Sequence, residues 1–178
     1  MAAIGSKISD EVSSTAVSSS NSITLRISKF NPKNDSSSKF VEFKVPVQKW
    51  TTVLDTILAV KQHLDPSIAV RYSCRQASCG SCGMKINGKP ALACYTKISE
   101  LNSNIVTVEP MNNFPILRDL AVDMTQMFST HKKLKPYIIR DDSEVTNDTK
   151  EFLQTPKEVE DYLQFSYCIK CGLCNSAC

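Results

Sequence analysis

The pattern of apolar and polar positions divides the chain into an alternating first part and a helically spaced second part. From Ile23, apolar and polar residues take turns: Ile23, Leu25 and Ile27 share one face of an extended chain, and Thr24, Arg26 and Ser28 the other. Val41, Phe43 and Val45 repeat the scheme after the turn-rich NPKNDSSS, so the two runs read as a β-hairpin. At Thr51–Asp55 the period changes to that of a helix start. Leu54, Ile57, Leu58 and Val60 follow at helical spacing up to the stop at Asp65-Pro66, which predicts a helix closing over the hairpin. Met84–Ile86, the turn Asn87-Gly88 and Leu92–Cys94 predict a second hairpin, and Ile105–Val108 a last strand. From Phe114 the spacing reads as helical, through Leu117, Leu120, Val122, Met124 and Met127. It returns after Thr155-Pro156-Lys157-Glu158, through Val159, Tyr162 and Leu163, with the polar RDDSEVTND as the loop between.

The fold class expected is therefore α+β. Residues 1–22 carry eight serines and no aromatic residue, and such a segment cannot bury enough apolar surface to offset its ordering entropy. They are expected to be disordered, with a β domain over 23–122 and a helical one over 123–178. The N-terminal segment has neither the basic start and apolar stretch of a secretory signal nor any arginine. This favours a cytoplasmic protein of a prokaryote over an organellar one. Twenty-one basic residues against 18 acidic ones, spread along the chain, argue against a nucleic-acid surface built by charge. No apolar run approaches the ~20 residues that span a bilayer, so membrane association is expected through partners.

The candidate chemistry lies in eight cysteines. Cys74, Cys79, Cys82 and Cys94 stand at C-x4-C-x2-C-x11-C, the plant-type ferredoxin spacing for a [2Fe–2S] cluster. Thiolates are what iron in two redox states requires of its ligands. Gly80, Gly83 and Gly88 fall in this segment, out of five glycines in the chain, so backbone freedom is concentrated where a cluster would be wrapped. A zinc site would use two short-spaced pairs, and disulfides belong to oxidising compartments. Strand–strand–helix, cysteine loop and further strands is the order of a β-grasp ferredoxin domain.

The chain closes on Cys168, Cys171, Cys174 and Cys178 at C-x2-C-x2-C-x3-C, the bacterial ferredoxin run. In that run three thiolates reach one [4Fe–4S] cube from a single turn, eased here by Gly172, and the fourth reaches a different cluster. The remaining ligands of both clusters are expected beyond Cys178 or on another polypeptide.

CRQASCGSCGMKINGKPALAC and CIKCGLCNSAC, joined through ILRDLAVDMTQMFSTHKKLKPYI, resemble the iron–sulfur subunits of succinate dehydrogenases and fumarate reductases over about residues 22–178. The resemblance implies a β-grasp [2Fe–2S] domain followed by the start of an α-helical ferredoxin-like domain. It implies that Cys74, Cys79, Cys82 and Cys94 ligate [2Fe–2S], Cys168, Cys171 and Cys174 ligate [4Fe–4S], and Cys178 is the first ligand of a [3Fe–4S] cluster. It further implies an electron-transfer subunit without catalytic residues, working between a FAD-bearing flavoprotein subunit and a quinone held near membrane-anchor subunits. Such a subunit sits peripherally on the cytoplasmic face of the cell membrane, or on the matrix side of the mitochondrial inner membrane in a eukaryote. Glycine is common in the family where this chain has Ala77, and the form CRQASCGSCGM is similar to that of some fumarate reductases. The other readings are the iron–sulfur subunit of a different flavoprotein reductase, a soluble two-cluster carrier, or a zinc-stabilised module.

Arg75 would place a positive charge beside the first cluster, and Ser81 a hydrogen bond to its sulfur, both favouring the reduced state. His63 and His131 read as surface residues near helix ends. The basic run 131–135 reads as a solvated face, and Met124 and Met127 as core.

Overall fold

The computed structural model describes residues 21–137, 139 and 153–178. The expected disorder of residues 1–20 and the loop expected over RDDSEVTND lie outside the described residues. β1 (Asn21–Lys29) and β2 (Lys39–Val47) form the expected antiparallel hairpin, in the register Ile23↔Val45 and Leu25↔Phe43. Asn21 and Ser22, assigned above to the disordered segment, are instead strand residues opposite Val47 and Pro46. The hairpin ladder supplies their backbone partners.

α1 (Val53–His63) follows, and its start is built as the sequence indicated. Thr52 Oγ1 accepts from the Asp55 amide while Asp55 Oδ2 accepts from the Thr52 amide, a reciprocal capping box. Val53, Leu54, Ile57 and Val60 face the sheet and are buried to within 1 % of full exclusion. β3 (Gly83–Ile86), β4 (Lys89–Leu92) and β5 (Ile105–Glu109) complete a five-stranded mixed sheet in the order β2-β1-β5-β3-β4, with β1 and β5 parallel. Leu25, Ile27, Met84, Val106 and Val108 meet α1 in one core. This is the β-grasp arrangement, a sheet curled around one helix.

The segment after Phe114 departs from the helix expected there. β6 (Ile116–Arg118) and β7 (Ala121–Val122) form a small antiparallel pair, and the helix, α2 (Thr125–Lys133), begins only at Thr125. Leu120, Val122 and Met124 are the buried residues, spaced by two, while Leu117 is exposed. The period was that of a strand. The turn between the two strands is fixed from outside by Asp119, whose φ is 47° and whose carboxylate is 2 % exposed. Its Oδ1 accepts from the Phe30 amide at 2.9 Å and its Oδ2 from the Ala69 amide at 2.8 Å.

α3 (Pro156–Ser166) has a second capping box, between Thr155 and Glu158, and α4 (Leu173–Ala177) carries Cys174, with Cys178 directly after it. Met111, Val122 and Met124 form a second, small core with Phe114, Met127 and Leu173, while α4 lies beside β4.

Candidate iron–sulfur site

Cys94 is positioned by the start of α1. The first amides of a helix have no partner within it. Here the Val53 amide donates to Thr96 O at 2.9 Å and the Leu54 amide to Ala93 O at 3.0 Å, so the helix N-terminus holds the segment on both sides of Cys94. That segment is a turn; β4 stops at Leu92 rather than continuing to Cys94 as the sequence suggested. The Ala93 amide also donates to Cys82 O at 3.1 Å, tying the third cysteine to the fourth.

Residues 72–82 contain no regular element. They wrap instead. Backbone N–H groups of Gln76, Cys79, Ala77, Cys94, Cys74 and Ser81 point at the four thiol sulfurs at 3.2–3.5 Å, the Ala77 amide reaching Cys94 Sγ at 3.2 Å. To aim so many amides inward the chain takes left-handed φ values at Arg75 (58°), Ala77 (62°) and Gly80 (70°). Only Gly80 of these was legible as such; Arg75 and Ala77 carry no sign of it in their side chains. Gly83, by contrast, has no positive φ. A Cβ there would lie 3.2 Å from Met111 Sδ and 3.3 Å from Cys171 O, so that glycine answers to crowding.

The four thiols fall into two pairs of opposite character. Cys74, half-buried, and Cys79, exposed, exchange amide-to-sulfur bonds, whereas Cys82 and Cys94 are buried and linked by the Cys94 amide at 3.4 Å from Cys82 Sγ. The Ser81 hydroxyl, with the Cys74 and Ser81 amides, pulls the Cys79 thiol down to about 6. Burial pushes Cys82 up to about 11. Among the described residues no three His, Cys, Asp or Glu side chains converge on a single-ion position. Two pairs of thiols suit two irons, and inward N–H groups are what negatively charged sulfur requires, so the donor set fits a [2Fe–2S] cluster. Arg75 stacks over the Tyr72 ring at 5.3 Å, which anchors its charge at the mouth of the loop.

The second cysteine group lies against the first. Cys168 to Cys171 follow α3 without regular structure, Lys170 and Gly172 take φ values of 55° and 79°, and α4 then presents Cys174. The Asn112 amide donates to Ser176 Oγ at 3.0 Å, and Asn113 Nδ2 to Asn175 O at 2.7 Å and Cys178 O at 3.2 Å. Cys168, Cys174 and Cys178 are exposed and Cys171 is half-buried, facing Gly80. A left-handed residue on each side of Cys171 gives the backbone freedom that closely spaced corner ligands of a cube require. An open cleft of about 520 Å³ lined by Arg71, Met124, Phe128 and Lys132 contains none of the eight cysteines.

Asp119 is the positioning residue that sequence reasoning passed over. It fixes Ala69 five residues before Cys74, and its signal was hidden in a run read as helix. His63, exposed, and His131, half-buried, sit in the last turns of α1 and α2, and Met124 is core, as read.

A β-grasp sheet bearing four cysteines in an amide-lined loop defines a ferredoxin-type iron–sulfur protein. A family model described as a 2Fe–2S iron–sulfur cluster binding domain matches residues 24–129, and the chain belongs to that family. It is 42 % identical over 156 residues to the fumarate reductase iron–sulfur subunit of Mycobacterium tuberculosis, covering 88 % of this chain and 63 % of the relative. It is 39 % identical over 158 residues to the succinate dehydrogenase iron–sulfur subunit of Coxiella burnetii, covering 88 % and 65 %. A chain of the Mycobacterium smegmatis Sdh1 complex in the apo form superposes with a TM-score of 0.76 at 28 % identity, covering 90 % of this chain and 64 % of that one. The chain thus spans a little under two thirds of the length of these relatives.

Proposed function

We propose that this chain is the electron-transfer iron–sulfur subunit of a succinate dehydrogenase or fumarate reductase. Cys74, Cys79, Cys82 and Cys94 hold a [2Fe–2S] cluster, Cys168, Cys171 and Cys174 hold a [4Fe–4S] cluster, and Cys178 is one ligand of a [3Fe–4S] cluster. The observation that carries this reading is the contact of two differently spaced cysteine loops, the first lined by inward N–H groups, the second pressed on it at Cys171. Bound clusters supply one-electron oxidation and reduction. The chain itself holds thiolates, orients amides on them and excludes water from the Cys82–Cys94 side. No described constellation offers an acid, base or nucleophile for dicarboxylate chemistry. The substrate is therefore handled on a FAD-bearing partner subunit. The other partners are membrane-anchor subunits with a quinone nearby, and no nucleic acid. No helix among the described residues is long and apolar enough to cross a membrane. The likeness to fumarate reductase and succinate dehydrogenase iron–sulfur subunits supports a peripheral place on the cytoplasmic face of the cell membrane, or the matrix side of the mitochondrial inner membrane in a eukaryote, reached through those anchors.

The test is electron paramagnetic resonance of the purified native complex. Succinate is expected to change the iron–sulfur signals, and fumarate or a quinol to shift them in turn. Signals that respond to none of the three would overturn the proposal.

A further inference from the structure

The two cysteine loops meet at one point, and the residue there is Gly80. Its φ is +70°, and a Cβ built on it would stand 2.7 Å from Cys171 Cβ, 2.8 Å from Cys171 Cα and 3.2 Å from Cys171 N. Glycine is thus required twice over at this position, by backbone conformation and by the close approach of another backbone. Gly80 follows Cys79 directly, and Cys171 is itself a cysteine of the second group. The Gly80 backbone therefore lies close against a candidate ligand of the second, with no room for a side chain between them. Gly83 reinforces the seam from the buried side, where a Cβ would meet Cys171 O and Leu173 Cδ2 at 3.3 Å.

We infer that Gly80 is the positioning residue for electron transfer between the two centres: its missing side chain sets their separation and makes the Cys79–Gly80 peptide the bridge to Cys171. The inference rests on the reading that both cysteine groups carry clusters. The transfer moves one electron, the first centre being oxidised as the second is reduced, with no bond made or broken and no proton moved. To relieve the clash of an added methyl to ordinary contact at 3.4 Å, the loops must part by about 0.7 Å. Backbone sits on both sides of this contact, so no flexible side chain can yield instead.

Gly88 supplies the control. Its φ is +80°, and a Cβ there would meet nothing within 4 Å, so Gly88→Ala imposes the same backbone strain without the contact. The experiment compares native complexes carrying Gly80→Ala and Gly88→Ala with wild type, by iron and acid-labile sulfide content and by microwave power saturation of the reduced [2Fe–2S] resonance. In wild type, reducing the second centre is expected to speed relaxation of the first and raise its half-saturation power. Gly88→Ala should keep that rise, and Gly80→Ala should show a smaller one at full cluster content. An unchanged rise in Gly80→Ala would overturn the inference. If Gly80→Ala fails to assemble while Gly88→Ala assembles, Gly83→Ala decides: a reduced rise upholds the seam and an unchanged one refutes it. Absence of any relaxation effect, or of the second centre itself, in wild type would instead refute the two-cluster reading beneath it.

Discussion

Removing the Asp119 carboxylate is expected to be among the most damaging single changes outside the cysteines. The side chain is 2 % exposed and accepts two backbone amides, Phe30 at 2.9 Å and Ala69 at 2.8 Å, from segments that no strand ladder pairs. Hydrogen bonds to a charged group contribute about 1.5–3 kcal/mol each, and a buried amide left without a partner costs a comparable amount. Asp119→Ala should therefore lose roughly 3–6 kcal/mol, a large part of the ~5–15 kcal/mol that holds a domain folded. Asp119→Asn keeps one acceptor and turns a donor toward the other amide, so about half that loss is expected. The assay is urea unfolding of the cluster-loaded chain followed by far-ultraviolet circular dichroism, with visible absorbance reporting the cluster in parallel. Ala69 leads into the loop of Cys74, so the visible signal should become labile to chelators at urea concentrations below the unfolding midpoint. A loss under about 1 kcal/mol for Asp119→Ala, outside the range for two charged bonds, would refute this account of the turn.

Asp65 is held down to about 2, first by its hydrogen bond from Lys29 and then by Ser67. A carboxylate so depressed adds stability that is complete above its ordinary value of 3.8 and is lost as pH falls through about 2. The stability difference between wild type and Asp65→Asn should thus be flat above about pH 5 and shrink by at most about 2 kcal/mol toward pH 2; a difference that grows on acidification would contradict the ion pair. Ala77 holds φ 62°, where a Cβ costs roughly 1–2 kcal/mol and glycine's extra unfolded-state freedom returns about 0.4–1 kcal/mol. Ala77→Gly should raise the melting temperature modestly with cluster content unchanged, and a drop in melting temperature would count against a strained loop. Ser81→Ala removes the hydroxyl that lowers the Cys79 thiol, so the [2Fe–2S] potential should fall by about 40 mV, the equivalent of ~1 kcal/mol for one electron. A redox titration showing no change, or a rise, would mean that the hydroxyl does not reach the sulfur of the bound cluster.

The hairpin of β1 and β2, the capped start of α1 and the two cysteine spacings were legible in the chain, because each depends on residues close together in it. Alternation fixes which face of a strand is apolar, and Thr52 with Asp55 fixes a helix start through contacts three residues apart. The misread stretch was Leu117 to Met124, where apolar residues fit both a period of two and a period near 3.6. Asp119 decided between them, through partners at Phe30 and Ala69, 89 and 50 residues away. The left-handed Arg75 and Ala77 were likewise invisible, because their φ values come from amides turned toward sulfurs and from no preference of the residues themselves. Spacing could name the eight cysteines. Only tertiary structure could set a buried pair, Cys82 and Cys94, apart from the more accessible Cys74 and Cys79, and bring Cys171 against Gly80 across 91 residues of chain, because burial and contact between segments so far apart depend on how the whole fold packs.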